Sequence, residues 1–326
     1  MIFVICFVKE RFNMVNKLKS YLDINTAALI MSEENISYFT GFHSSNGYLV
    51  VTKGKSFFLT DSRYIEAAQN KIKTCDEILL LRSMKADLAS LIQKLGVKEL
   101  KLEADRTTVS RYNEIKNMLP DILVSCDGSV DKAVNEIRIC KTQHEVDCII
   151  KAQRISERAF EHILSFISTE KTEKEIALEL DCFMLRNGAD GLSFETIAVS
   201  GKNSSMPHGV PGDKKIENGD FITMDFGAVV DFYHSDMTRT VAVGEVSDKQ
   251  IDVYNTVLDA QCKALCEIKA GKSCKDIDSV ARNIIKSKGF TLPYPFLRLF
   301  VIRFQLVVII FLKNIFLVTI FCIIKI

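Results

Sequence analysis

The chain has 326 residues, 48% hydrophobic and 25% charged, with a net charge of +1, which is length enough for two ordinary domains with cores of their own. A charge so close to zero argues against nucleic acid held by bulk electrostatics. Ten cysteines stand singly, with no Cys-x-x-Cys pair, which argues against a disulfide framework or a thiolate zinc site and places the chain in a reducing cytoplasm.

Residues 1–13, MIFVICFVKERFN, put an apolar run before their charges, the reverse of a signal peptide, and offer no small-residue cleavage site. They are expected to be an upstream extension, with Met14 the natural start. From there to residue 128, strand and helix patterns alternate. Ala27 to Met31 reads as a strand, Gly47 to Thr52 and Ser56 to Thr60 as a hairpin turning at Lys53-Gly54, and Arg63 to Lys73 as a helix. Strand Glu77 to Leu81, helix Met84 to Leu95, strand Glu99 to Glu103, helix Thr107 to Met118 and strand Ile122 to Ser125 follow. Such alternation predicts an α/β domain around a mixed sheet.

Gly128 to Asn135 reads as a polar connector. Thr142 with Glu145 then forms a capping box opening a helix to about Ile167, and Thr172 with Glu175 opens a second that stops before Gly188. Phe194 to Ser200 reads as a strand and Gly201 to Gly212 as a loop rich in Ser, Gly and Pro. Ser247 with Gln250 opens a third helix running to Gly271, and Ser273 caps a fourth that stops at Gly289.

The central stretch, Gly219 to Gly244, carries two apolar-rich runs around a connector of Val229, Val230, Asp231 and Phe232, the pattern of a hairpin with a four-residue loop. Centring the loop between Val230 and Asp231 sets Asp225 opposite Asp236. Alternation then collects Thr223, Asp225, Gly227, His234, Asp236, Thr238 and Thr240 on one face, and Ile222, Met224, Phe226, Ala228, Met237, Val241 and Val243 on a core face. Two opposed carboxylates repel across a ladder, and a pair of divalent ions between them would relieve this and could activate water. Two solvated aspartates account for the spacing equally well.

The runs YFTGF, SNGYLVVT and LTDSRY resemble the creatinase-type N-terminal domain, and DFGA followed by YHSDMTRT resembles the signature of the pita-bread metallopeptidases. That family comprises aminopeptidase P, Xaa-Pro dipeptidase and methionine aminopeptidase. The resemblance implies an α/β N-terminal domain followed by an α+β pita-bread catalytic domain, and an exopeptidase that hydrolyses the bond before proline. Methionine aminopeptidases lack the N-terminal domain, which favours the Xaa-Pro branch. It further implies two divalent ions (Mn, Co or Zn) held in part by Asp225 and Asp236, with Asp236 bridging, and places His208 of the Pro-His-Gly run beside the scissile carbonyl. His234 is expected to pack near the ligands without touching metal, and His43, His144 and His162 to be ordinary histidines. Proline-containing peptides are the implied partners, and the intact relatives are homodimers or larger.

A pita-bread peptidase supplies five metal ligands: two aspartates, then a histidine and two glutamates. Beyond Phe290 the sequence has no histidine, acidic residue or glycine, so three of the five are missing and this chain is expected to be inactive. The expected organisation is an extension over 1–13, an N-terminal domain over 14–128, the first half of the catalytic domain over 129–290 and an aberrant apolar tail over 291–326. Arg303 and Lys313 interrupt that tail, and its longest uncharged stretch, Asn314 to Ile324, is too short to span a bilayer. A changed reading frame explains it better than a membrane anchor. A non-catalytic peptide- or protein-binding module is the alternative function; a metal-free amidine hydrolase is disfavoured because both aspartates persist.

Overall fold

A computed structural model describes residues 14–290; the expectations for 1–13 and 291–326 fall outside the described residues. The chain divides into two compact units between Val146 and Asp147.

The first unit is a six-stranded sheet in the order β4-β3-β2-β1-β5-β6. Its strands are β1 (Thr26–Ile30), β2 (Gly47–Thr52), β3 (Ser56–Thr60), β4 (Glu77–Leu80), β5 (Glu99–Leu102) and β6 (Leu123–Ser125). β1 pairs antiparallel with β2 and parallel with β5, giving the mixed sheet that the alternation predicts. Helix α1 covers residues 14–20; α2 (Glu33–Thr40), α3 (Ile65–Lys71), α4 (Met84–Lys94), α5 (Val109–Met118) and α6 (Ser129–Ile139) follow. Strand alternation sends Ala28, Ile30, Leu49, Val51 and Phe58 into one buried cluster with α1, α2 and α6. It sends Ala27, Leu29, Val50, Phe57, Leu59 and Leu100 into a second, with α4 and α5. Helices thus cover both faces of the sheet.

Two elements differ from the sequence reading. Gly128 to Asn135 is not a connector: Gly128 adopts a left-handed conformation (φ 77°) and α6 begins at once. Its buried residues Val130, Ala133, Val134 and Ile137 have helical spacing, which the intervening Asp, Lys, Asn and Glu conceal. Helix α2 was not foreseen, because eight residues ending in the β-favouring run Tyr38-Phe39-Thr40 carry little helical signal.

At the end of β5 the Glu103 carboxylate is fully buried. It accepts hydrogen bonds from the backbone N–H of Met31 (2.6 Å) and Ser32 (2.9 Å), from Ser32 Oγ (2.6 Å) and from Asn35 Nδ2 (2.7 Å). Those donors belong to the start of α2, so a single side chain joins the ends of β1 and β5 to a helix N-terminus.

The second unit contains two three-stranded sheets, β12-β9-β8 and β11-β10-β7. Helix α7 (Gln143–Phe166) begins just before the division; α8 (Glu173–Arg186), β7 (Gly191–Leu192), β8 (Ile197–Ser200) and a 3₁₀ turn (Gly201–Ser205) follow. Then come β9 (Phe221–Phe226), β10 (Ala228–Val230), β11 (Tyr233–His234), β12 (Met237–Ala242), α9 (Asp248–Cys266) and α10 (Cys274–Ser287). Thr142, Thr172 and Ser247 make reciprocal capping pairs with Glu145, Glu175 and Gln250, as the sequence predicts. Every residue assigned to the core face of the hairpin enters one cluster with Ala152, Ile155, Ala159 and Ile163 of α7 and Ile176 and Leu180 of α8.

Candidate active site

The site is built on the β9–β12 hairpin, and its turn is shorter than the sequence suggests. Val229 pairs with His234 and Val230 with Tyr233, leaving only Asp231 and Phe232 as the loop. Both have positive φ, 46° and 68°, the backbone of a type I′ turn, whose twist matches the flanking strands. Asn-Gly or Asp-Gly would have announced it; Asp-Phe does not.

The register therefore slides by two residues. Asp225 lies opposite Thr238, not opposite Asp236, and continuing the same register sets Asp236 across from Gly227. A slide of two preserves the side-chain parity, so the two carboxylates share a face but stand diagonally, at about 7 to 8 Å rather than in direct opposition. The direct carboxylate–carboxylate repulsion expected from the four-residue loop is replaced by a hydrogen bond, Thr238 Oγ1 donating to Asp225 Oδ1 at 2.9 Å. The next pair on that face, Thr223 and Thr240, joins its hydroxyls at 3.1 Å.

Burial separates the two aspartates. Asp225 is fully buried, whereas Asp236 is exposed in the break between β11 and β12. That break is made by Gly227 and Ser235, where the hairpin passes from one sheet to the other. Ser235 Oγ accepts from the Ala228 N–H (2.9 Å) and lies 2.8 Å from Ser156 Oγ of α7, and Ser193 N–H donates to the Gly227 carbonyl (2.9 Å). A Cβ at Gly227 would overlap the Ser235 carbonyl oxygen, so only glycine lets the strands approach here.

His208 is exposed, in a turn closed by Gly209 N–H donating to the Met206 carbonyl (3.1 Å). Gly209 sits against the Val199 side chain, to which a Cβ there would come within 3.0 Å. Val199 pairs with Thr223, and Ile197 with Asp225, and directly opposed residues share a face. The loop carrying His208 thus rests on the face that bears Asp225. His234 is exposed at the end of β11, where the partial burial of its ring lowers the pKa of the imidazole; it joins the polar face by parity only.

The donor chemistry of Asp225 and Asp236, oxygen ligands with hydroxyls alongside, suits a hard divalent ion, but the set is incomplete. Among the described residues no group of three close His, Cys, Asp or Glu ligand atoms includes either aspartate. One such group does occur: ligand atoms of His144, Cys148 and Asp231 lie within 4.8 Å of one another. His144 and Cys148 are one turn apart on α7, and Cys148 Sγ is 4.0 Å from Asp231 Oδ2 at the hairpin turn. This group was not foreseen, since i, i+4 spacing on a helix gives no hint of a distant turn residue. Asp231 lies in the turn beyond the break at Gly227, and the group includes neither Asp225 nor Asp236.

An α/β unit followed by a helix-backed antiparallel hairpin with same-face aspartates is the arrangement that the resemblance to the pita-bread metallopeptidases implies. Residues 147–304 match the metallopeptidase family M24 model and residues 24–140 the creatinase/prolidase N-terminal domain model. The uncharacterized peptidase YqhT of Bacillus subtilis is 39% identical over 263 residues, covering 80% of this chain and 73% of the relative. The Xaa-Pro dipeptidase of Pyrococcus furiosus is 33% identical over 293 residues, covering 87% of this chain and 79% of the relative. Among solved structures, the Xaa-Pro dipeptidase from Bacillus anthracis superposes with a TM-score of 0.80 at 36% identity, covering 86% of this chain and 78% of that one. The chain belongs to metallopeptidase family M24, in the branch with a creatinase-type N-terminal domain, and its family-level class is that of a metallo-exopeptidase.

Proposed function

We propose that this chain carries part of the site of an Xaa-Pro exopeptidase, with Asp225 and Asp236 as ligands of a divalent pair and His208 as the group that meets the substrate carbonyl. The observation supporting the reading is the polar face of the hairpin: a buried aspartate held by Thr238, a second aspartate diagonal to it, and a histidine loop seated on the same face. When bound, the metal pair would lower the pKa of water and polarise the carbonyl. The chain's own residues do the rest. Thr238 orients Asp225 so that its other oxygen is directed independently of the hydroxyl, and the His208 imidazole donates a hydrogen bond to the oxygen on which charge develops.

Manganese, cobalt or zinc, proline-containing peptides and a homodimer or larger assembly are parts of the same reading and rest on the family resemblance; a cytoplasmic setting rests on the ten singly placed cysteines. Residues 291–326 contain no histidine or acidic residue and so supply no ligand of those kinds, and we propose that turnover by these 326 residues is very low. Calorimetry with Mn²⁺ or Co²⁺ alongside an Ala-Pro hydrolysis assay tests both points. Weak or undetectable metal binding and negligible hydrolysis are expected. Submicromolar affinity abolished by Asp236→Ala, with Ala-Pro turnover abolished by Asp225→Asn, would show that the site is complete and the low-activity reading wrong.

A further inference from the structure

We infer that Glu173 is the positioning residue for the His208 loop, an inference that rests on the reading of His208 given above. Glu173 opens α8 and is 1% exposed, far from the usual situation of a glutamate in the first turn of a helix. Its carboxylate grips the loop at both ends. Oε1 accepts from the Ser200 N–H (2.7 Å), Ser200 Oγ (3.0 Å) and Asn203 Nδ2 (3.0 Å), where the chain leaves β8; Oε2 accepts from the Gly212 N–H (3.2 Å), where the loop returns.

Backbone bonds reinforce the return side, with Glu173 N–H donating to the Lys214 carbonyl (3.0 Å) and Lys174 N–H to the Gly212 carbonyl (3.1 Å). Lys214 joins the same network, its Nζ donating to Ser200 Oγ (3.0 Å) and Asp220 Oδ2 (2.7 Å). Twelve residues, Gly201 to Gly212, are thereby closed at the neck by one buried side chain, while Gly209 seats the tip on Val199. His208 lies between these two anchors, so its direction is set by both. The α8 capping box does not need Glu173: Thr172 and Glu175 complete it themselves.

Glutamine at position 173 fills the same volume, yet its amide offers one acceptor oxygen where four donors from two sides converge, so one side of the neck must let go. The test uses the full chain with ¹³C-labelled histidine rings, the His208 signal being assigned with His208→Gln. Glu173→Gln is expected to shift or broaden the His208 signal and to speed amide exchange across residues 200–212 by about 10-fold, with the His162 signal unmoved. A Ser200→Ala/Asn203→Ala variant, which keeps the carboxylate and removes two donors, should move the same signals less, and it decides the matter if Glu173→Gln fails to fold. Unaltered ring signal and exchange in the variants that fold would overturn the inference. Added Ala-Pro distinguishes positioning from simple bracing: it should perturb His208 in the unaltered chain and do so more weakly in Glu173→Gln. Equal perturbation in both would count against positioning. No perturbation in the unaltered chain would remove the substrate role proposed for His208, while the ring and exchange signals still decide whether Glu173 holds the loop.

Discussion

Asp225 and Thr238 show what a single cross-strand pair contributes. A carboxylate with no solvent exposure accepts a hydrogen bond from a hydroxyl directly opposite it, and deleting that hydroxyl removes a bond that water cannot replace in the core. Thr238→Val should cost about 1 to 3 kcal/mol in urea unfolding, whereas Thr238→Ser should restore most of the loss. The sequence made the side-chain parity of this pair readable but not its partner, because parity follows from period-two alternation while register depends on the turn. Elsewhere, Asp127 has its carboxyl pKa held down at about 2, first by the Ser129 hydroxyl, then by the Ser129 N–H and by Lys101. Its folded value lies below its unfolded one, so the stability it contributes is present above pH 4 and is lost as pH falls toward 2. The Asp127 side chain is largely exposed, so the effect is small; Asp127→Asn should flatten that acid limb of the first unit's unfolding curve by lowering stability slightly at pH 7 and leaving it nearly unchanged near pH 2.

At the scale of elements, local chemistry was legible and long-range geometry was not. Thr142, Thr172, Ser247 and Ser273 were read correctly as helix starts because a cap needs only residues within one turn. Ser247→Ala should lower stability by about 1 kcal/mol, measured by denaturant unfolding. The β2–β3 hairpin was read to the residue because Lys53-Gly54 marks its turn, while the central hairpin was misread because Asp231-Phe232 adopts a glycine-like backbone without a glycine. The bend at Gly227 belongs to this scale too. Gly227→Ala would drive a methyl group into the Ser235 carbonyl, prying β9 from β12 beside Asp225. A loss of about 2 to 4 kcal/mol is expected, with the first unit's unfolding transition unaffected.

For the whole molecule, family and fold class were carried by motif resemblance more than by periodicity; alternation alone would have stopped at an α/β domain followed by helices and a hairpin. The cysteines give a molecule-wide check on burial. Cys140, Cys262, Cys266 and Cys274 are exposed, Cys148 is buried, and burial pushes the Cys75 thiol up to about 12, with the Thr74 hydroxyl opposing the shift. At pH 8 a thiol reagent should therefore modify those four quickly among the described cysteines and leave Cys75 and Cys148 until the chain unfolds. The folded value of Cys75 exceeds its unfolded one, so its stabilising contribution is complete below pH 9 and is lost as pH rises toward 12.

The strand order of the first unit reverses direction between β1 and β5, as doubly wound sheets do, although β2 runs antiparallel to both of its neighbours. Its connections leave β1 in one direction and β5 in the other, and in open α/β sheets the crevice at such a reversal commonly takes a dinucleotide, its phosphates lying on a helix N-terminus. Here that berth is filled from within, since Glu103 occupies the amides of Met31 and Ser32 with a carboxylate of its own. An incoming phosphate would find those two amides already taken, so the end of β1 is closed by a side chain of the protein's own that stands as its permanent occupant.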